Sequence, residues 1–277
     1  MESSNLTHVS LKRSPVLAFW LSVIITALLT GMSIYGLCNP GRVYSSLETT
    51  LAFVPNDQVN LTIGLPLLVL SLIFVKRNNL LAYLCWPGAL FYVVYNYSIY
   101  LFANPFGIMF LPYLLIISLG VYTLISVVTT FDFTQCKTVL ENHIPARVSG
   151  GILVALALMI LLREIGLMST ALSHAEAVPA LDSALWISDF LIGAPPLLII
   201  GIMLWHRKAL GYTCAAGLLL QYGLLCISLV PVMVYQANAI GTGVDTAGIV
   251  VVLIMAIVCL IPFAFFAKVA WKAHINS

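Results

Sequence analysis

The side chains best able to do chemistry in this chain are polar groups set inside apolar sequence. The stretch FYVVYNYSIYLF, residues 91–102, places four tyrosines and an asparagine among Leu, Ile, Val, Ala and Gly. At 100° per residue, Tyr92, Tyr95, Asn96 and Tyr100 fall within an arc of about 140°, one face of a helix, while Tyr97 points elsewhere, toward lipid. A buried amide such as Asn96 needs partners that lipid cannot supply. Asp57 and Asn60 lie one turn apart, with Gly64 on the same face, and Arg163–Glu164 and Asp189 interrupt other apolar runs. Ionisable residues in such runs mark functional sites by default. Asp57, Arg163, Glu164 and Asp189 would act as charge partners, and Asn60, Tyr92, Tyr95 and Asn96 as hydrogen-bonding walls. That set suits a pocket for a small-molecule or ion ligand, opening on the outer side. Each group also has a plainer reading. The tyrosines could form an interfacial belt, Asp57 could favour the helix dipole from a first turn, and Arg163 could snorkel outward with Glu164 as its salt-bridge partner. Gln221 suits a hydrogen bond between helices.

Other chemistries have no signature. There is no HExxH, GxSxG, P-loop or acid-rich metal motif, so no metal site is expected. His8, His143, His174, His206 and His274 all fall at helix ends or in loops, which argues against axial haem ligation within a bundle. The six cysteines are widely spaced without a CxxC pair, so they read as core residues or free thiols. No cofactor is expected, and the balance leans against an enzyme.

The elements that must position these groups follow from composition. The 277 residues are 61% apolar and only 8% charged, with net charge +2. A water-facing globular domain carries about 25% charged residues, so the natural partner is a lipid bilayer. Nucleic acid is not expected, since no basic run exceeds two residues. Eight apolar stretches can span, at 15–37, 58–76, 80–103, 106–131, 148–171, 183–205, 209–235 and 246–271, each near the 20 or so residues required. The first reads as a retained helix after Lys12–Arg13 rather than a cleaved leader. With both termini cytoplasmic, Lys12, Arg13, Lys76, Arg77, Lys137, Arg147, Arg207, Lys208, Lys268 and Lys272 lie inside, and only Arg42 and Arg163 outside. The expected fold is an all-α polytopic bundle of about eight spans, forming one transmembrane domain over 1–277.

An internal repeat is suggested within it, with halves 1–135 and 136–277. At an offset of 129 residues, Asn60/Asp189, Ile63/Ile192, Gly64/Gly193, Pro66/Pro195 and Gly88/Gly217 coincide. Four spans per half would make the halves parallel, with an axis along the membrane normal.

The stretches NDQVNLTIGLPLL through FYVVYNYSIYLF to FLPYLL and SDFLIGAPPLLIIGIMLWHRKALGYTCAAGLLLQ, in the second to fourth and the sixth and seventh spans, resemble a family of prokaryotic multi-pass membrane proteins to which no activity is assigned. In its pattern an Asp precedes a Leu-Pro-rich helix, an Arg follows it, and a Tyr-rich helix comes next. Asp57, Pro66, Arg77, Tyr92, Tyr95, Tyr100, Asp189, Pro196 and Arg207 fit that pattern, over somewhat more than half the chain. The resemblance implies a prokaryotic cytoplasmic membrane and names no substrate. A small-solute or ion transporter, or a membrane binding protein, is the leading expectation. The alternatives are a membrane-embedded enzyme acting on a lipid or lipid-linked substrate, and a non-catalytic subunit or assembly factor. An aqueous vestibule would favour transport, a lipid-accessible groove the enzyme, and a dry, fully paired polar cluster the structural role.

Overall fold

Capping side chains set where the helices start. Ser46 accepts from the Thr49 amide while Thr49 reaches back, and Asn79, Asp132 and Asp245 each accept from the first turn of the helix they precede. Gly241, at φ +75°, ends the longest helix in the left-handed region that glycine tolerates. The computed structural model describes residues 8–175 and 177–276. Among them the order is β1 (His8–Ser10), α1 (Val16–Cys38), α2 (Pro40–Val43), α3 (Leu47–Val59), α4 (Leu65–Val75), α5 (Leu80–Ala103), α6 (Phe110–Thr130), α7 (Phe133–Leu140), α8 (Ala146–His174), α9 (Ala180–Ser188), α10 (Ala194–Trp205), α11 (Ala209–Ile240), α12 (Thr246–Ala270) and β2 (His274–Asn276).

Two π turns, Asn60–Gly64 and Asp189–Gly193, join α3 to α4 and α9 to α10, making continuous helices over Leu47–Val75 and Ala180–Trp205. Seven helices in the described residues are long and apolar enough to cross a bilayer. The protein is an integral membrane protein with an all-α polytopic bundle. The eighth expected span, α5, has 24 residues, about 36 Å at 1.5 Å each, so its length suffices. Its tyrosines and asparagine make it less apolar, and it occupies the centre of the bundle, buried on nearly every side. It packs against α4, α6, α9 and α11.

The largest difference from the expected span boundaries is at the second span. The helix expected to begin at residue 58 begins at Leu47, because the Ser46–Thr49 capping box starts it and Pro55 is accommodated within it. Asp57 is therefore not a first-turn acid; it sits about 15 Å inside that helix at 1.5 Å per residue.

The π turns have a local cause. Pro66 follows the first, and Pro195 and Pro196 follow the second, each just inside the next helix. A helical proline cannot donate to the preceding turn and its ring crowds a carbonyl there. Widening by one residue relieves this, and Leu65 and Ala194 donate five residues back, to the Asn60 and Asp189 carbonyls.

Helix contacts pair up across the 129-residue offset. α4 packs on α5 as α10 does on α11, α5 on α6 as α11 on α12, and, crosswise, α3 on α11 as α9 on α5. Gly88 and Gly217 touch each other at the α5–α11 crossing, where a Cβ on Gly217 would lie 2.8 Å from the Gly88 amide nitrogen. β1 and β2 pair in parallel, so both ends of the described chain lie on one face. There Ile275 donates to the Asn78 carbonyl and Leu80 to that of Ala273.

Candidate functional site

The face of Leu47–Val75 that carries Asp57, Asn60 and Gly64 runs antiparallel to the tyrosine face of α5. At one level Tyr100 donates to Asp57 Oδ1 at 3.1 Å, and Tyr44, from the segment after α2, donates to Asp57 Oδ2. Burial, with the Asp57 carboxyl beside it, raises the Tyr44 phenol above its ordinary value and keeps it a donor. Asn56 Nδ2 reaches Asn96 Oδ1 at 3.3 Å and Tyr100 Oη at 3.1 Å, and Asn96 donates to the Tyr92 carbonyl. At a second level the Tyr92 ring lies against Gly64, where a Cβ would come within 2.7 Å of it. Asn60 falls between the two levels.

The second carboxyl, Asp189, lies on the second π turn. Tyr95 donates to Asp189 Oδ1 at 2.7 Å, and Ser98 to Ser188 Oγ at 3.0 Å, so α5 reaches across to the second π turn. Tyr222 of α11 donates to the Gly193 carbonyl at 2.9 Å. Glu164 is fully buried and paired with Arg163, whose side chain is mostly exposed.

The eight residues singled out in the sequence are thus placed as follows. Asp57, Asn60, Tyr92, Tyr95, Asn96, Glu164 and Asp189 are all buried, and Arg163 is turned outward. Asp57 and Asp189 are held by phenols, not by a cation, so the charge-partner role foreseen for them is taken by tyrosines; Arg163–Glu164 is the ion pair of the set. Asp57 and Asp189 are held separately, the first by Tyr44 and Tyr100 and the second by Tyr95. Tyr97 does not face lipid: it is buried, 3.2 Å from Ser33 Oγ and 3.3 Å from the Leu29 carbonyl, because α1 covers that side of α5.

Tyr44, Asn56, Ser188 and Tyr222 were not foreseen. Tyr44 precedes the second span and gave no periodic signal, whereas Asn56 is next to Asp57 and could have been found by extending the helix upstream.

Not every buried group is satisfied. Both polar atoms of Asn60 and of Gln221, and the hydroxyl of Tyr92, are buried without a hydrogen-bond partner. Gln221 therefore lacks the interhelical bond its position suggested. At the offset of 129 residues from Asn60, Asp189 is met by Tyr95, whereas the residue at that offset from Tyr95 is Leu224, which cannot donate.

Two cavities lie elsewhere. One of about 300 Å³ is walled by α5, α6, α10 and α11, including Pro87, Gly88, Leu124 and Pro196. The other, of about 670 Å³, lies between α1 and α4 with Lys76 at one end. No carboxyl group lines either one.

No family model, curated protein or solved structure matches the chain.

Proposed function

We propose that this membrane protein is a small-solute or ion transporter whose two halves, 1–135 and 136–277, are parallel repeats meeting at α5 and α11. The carrying observation is the pair of π turns at equivalent positions, each bearing a buried polar group, Asn60 or Asp189, on its first residue. Interrupted helices in corresponding positions of two halves, with polar groups at the repeat interface, are the usual construction of a carrier's binding site. Asp57 lies one turn before the first, and both carboxyls are held by α5 tyrosines. Bonds of this kind can open and reclose when the halves move. The ten basic residues assigned to the terminal face support cytoplasmic termini, and the polar layer then lies in the outer half of the bilayer.

A second reading, a non-catalytic subunit or assembly factor, draws on the closed pairing of Asp57 with Tyr44 and Tyr100. The enzyme alternative draws no support from the cavities, which hold no carboxyl. The deciding experiment is thermal unfolding of the purified protein against a library of ions and small metabolites, since a ligand of the folded state raises its stability. Transport predicts a stabilising ligand whose effect changes in Asp189→Asn while the variant still folds. If no ligand acts and Asp189→Asn only lowers Tm, the structural role holds instead.

A further inference from the structure

The cavity of about 670 Å³ between α1 and α4 is a groove with two unlike ends. Its walls are one stripe of each helix: Phe19, Ala27 and Gly31 of α1 recur at helical spacing, as do Val69, Ile73 and Lys76 of α4. Ala27 and Gly31 are exposed, and a Cβ on Gly31 would meet nothing within 4 Å, so none of the described chain fills the groove there. The two hydroxyls in the lining, those of Thr26 and Thr30, donate back to the Ser22 and Thr26 carbonyls. Their protons are spent within α1, and the walls are otherwise hydrocarbon as far as Lys76.

The Lys76 end lies at the membrane boundary. Two residues after Lys76, the Asn78 carbonyl accepts from Ile275 of β2, on the face where the two strands pair. Exposed Trp20 and Trp271 lie at that level, Trp20 edge-on to Phe19 and Trp271 against Phe74, and such aromatics collect at the membrane–water interface. The Lys76 ammonium sits 4.9 Å over the Phe19 ring, and the Arg77 guanidinium 5.2 Å over Phe74. Among the described residues neither cation is in an ion pair. From Phe19 to Gly31 the groove runs about 18 Å at 1.5 Å per residue, a little over half of a hydrocarbon core about 30 Å thick. It therefore reaches from a positively charged interface through one leaflet.

We infer that this groove binds an anionic phospholipid of the leaflet on the strand-paired face, with its phosphate on Lys76 and an acyl chain along Ala27, Gly31 and Ile73. An uncompensated cation at the mouth favours a negative headgroup, and apolar walls behind it accept a chain. A free phosphate would leave those walls uncovered, and a purely apolar solute would leave the ammonium unpaired. A second copy of this chain, seated about a two-fold axis along the membrane normal, would set Lys76 and Arg77 toward their own counterparts, like charge on like. The lipid satisfies both ends of the groove. This inference stands apart from the transport reading and uses none of its residues.

The test is native mass spectrometry of the purified full-length protein in detergent, titrated with phosphatidylglycerol and phosphatidylcholine carrying the same acyl chains. Wild-type protein should retain phosphatidylglycerol in preference to phosphatidylcholine. Lys76→Gln should lower that preference about fivefold, the scale of one basic residue at an anionic membrane surface. Gly31→Phe fills the groove and leaves the charge, so it should lower retention of both lipids; Ala27→Phe serves in its place if that variant does not fold. Lys208→Gln, on the same face but outside the groove, should change neither. The inference is overturned if wild-type protein retains the two lipids alike, if Lys76→Gln keeps the preference, or if the groove-filling variant keeps both lipids. It is also overturned if Lys208→Gln acts as strongly as Lys76→Gln, which would indicate general attraction to a basic face. Competition by glycerol 3-phosphate would make this a phosphate site instead. A wild-type dimer that Gly31→Phe converts to monomer, with lipid retention unchanged, would give the groove to a second copy; either result refutes the lipid.

Discussion

At the scale of single residues, the tyrosines of α5 serve as donors to carboxyls that no Lys or Arg pairs with among the described residues. A phenol is a fitting partner inside a bundle. It brings apolar ring area along with its hydroxyl, so Tyr95 and Tyr100 fill space while they satisfy Asp189 and Asp57. Removing one such donor leaves a buried carboxyl oxygen bare. Tyr95→Phe and Tyr100→Phe should each lower unfolding stability by about 1–3 kcal/mol, read by thermal or denaturant unfolding in detergent. Coupling confirms the partner: in a double-mutant cycle, Tyr95→Phe should cost much less once Asp189 is already Leu. Equal costs in both backgrounds would show that the Tyr95 hydroxyl acts elsewhere. The polar positions were legible because polar residues stand out in apolar sequence. Their partners were not. A helical wheel places Tyr97 on a different face from Tyr95, but it cannot say that α1 covers that face.

At the scale of elements, the two π turns are the features on which the site depends. The Gly-x-Pro recurrence was visible in the sequence as a kink signal, yet a widened turn and a kink share the same proline cause, and the backbone geometry alone separates them. A π turn is one residue inserted into an α-helix, so it can be removed by deleting one. Thr62 is exposed, and its hydroxyl only back-bonds to Gln58. Its deletion should convert Asn60–Gly64 to regular α-helix, with helicity by circular dichroism unchanged and Asn60 re-aimed. Ligand-dependent stabilisation should then be lost. A deletion variant that keeps it would separate the π turn from function. The start of α3 was misread for a related reason. The run SSLETTLAFVPND looks like a loop by hydropathy, and its capping pair at Ser46 and Thr49 outweighs that composition. The length and apolarity of the other spans were plain from sequence, because a bilayer demands both.

At the scale of the whole molecule, α5 and α11 meet at glycine on glycine. A Cβ on Gly88 would overlap the Gly217 backbone, which cannot move aside as a side chain could. Gly88→Ala and Gly217→Ala should each cost about 1–3 kcal/mol or more through overpacking, while Gly31→Ala, with open space around it, should be neutral in the same unfolding assay. Orientation is testable with the native exposed thiol of Cys38, which lies on the face opposite the paired termini. It should react with an impermeant maleimide from outside intact cells, and Lys208→Cys in a Cys38→Ser background should react only after the membrane is opened. The opposite pattern would invert the topology. The central claim is that a small solute or ion passes between the proposed halves, and the most direct measurement is uptake of a panel of labelled ions and small metabolites by proteoliposomes. Wild-type protein should raise the entry of at least one of them above that of protein-free vesicles, and Asp189→Asn should change that rate while remaining folded. Entry indistinguishable from protein-free vesicles for every member of the panel, with the protein folded and correctly inserted, would contradict it.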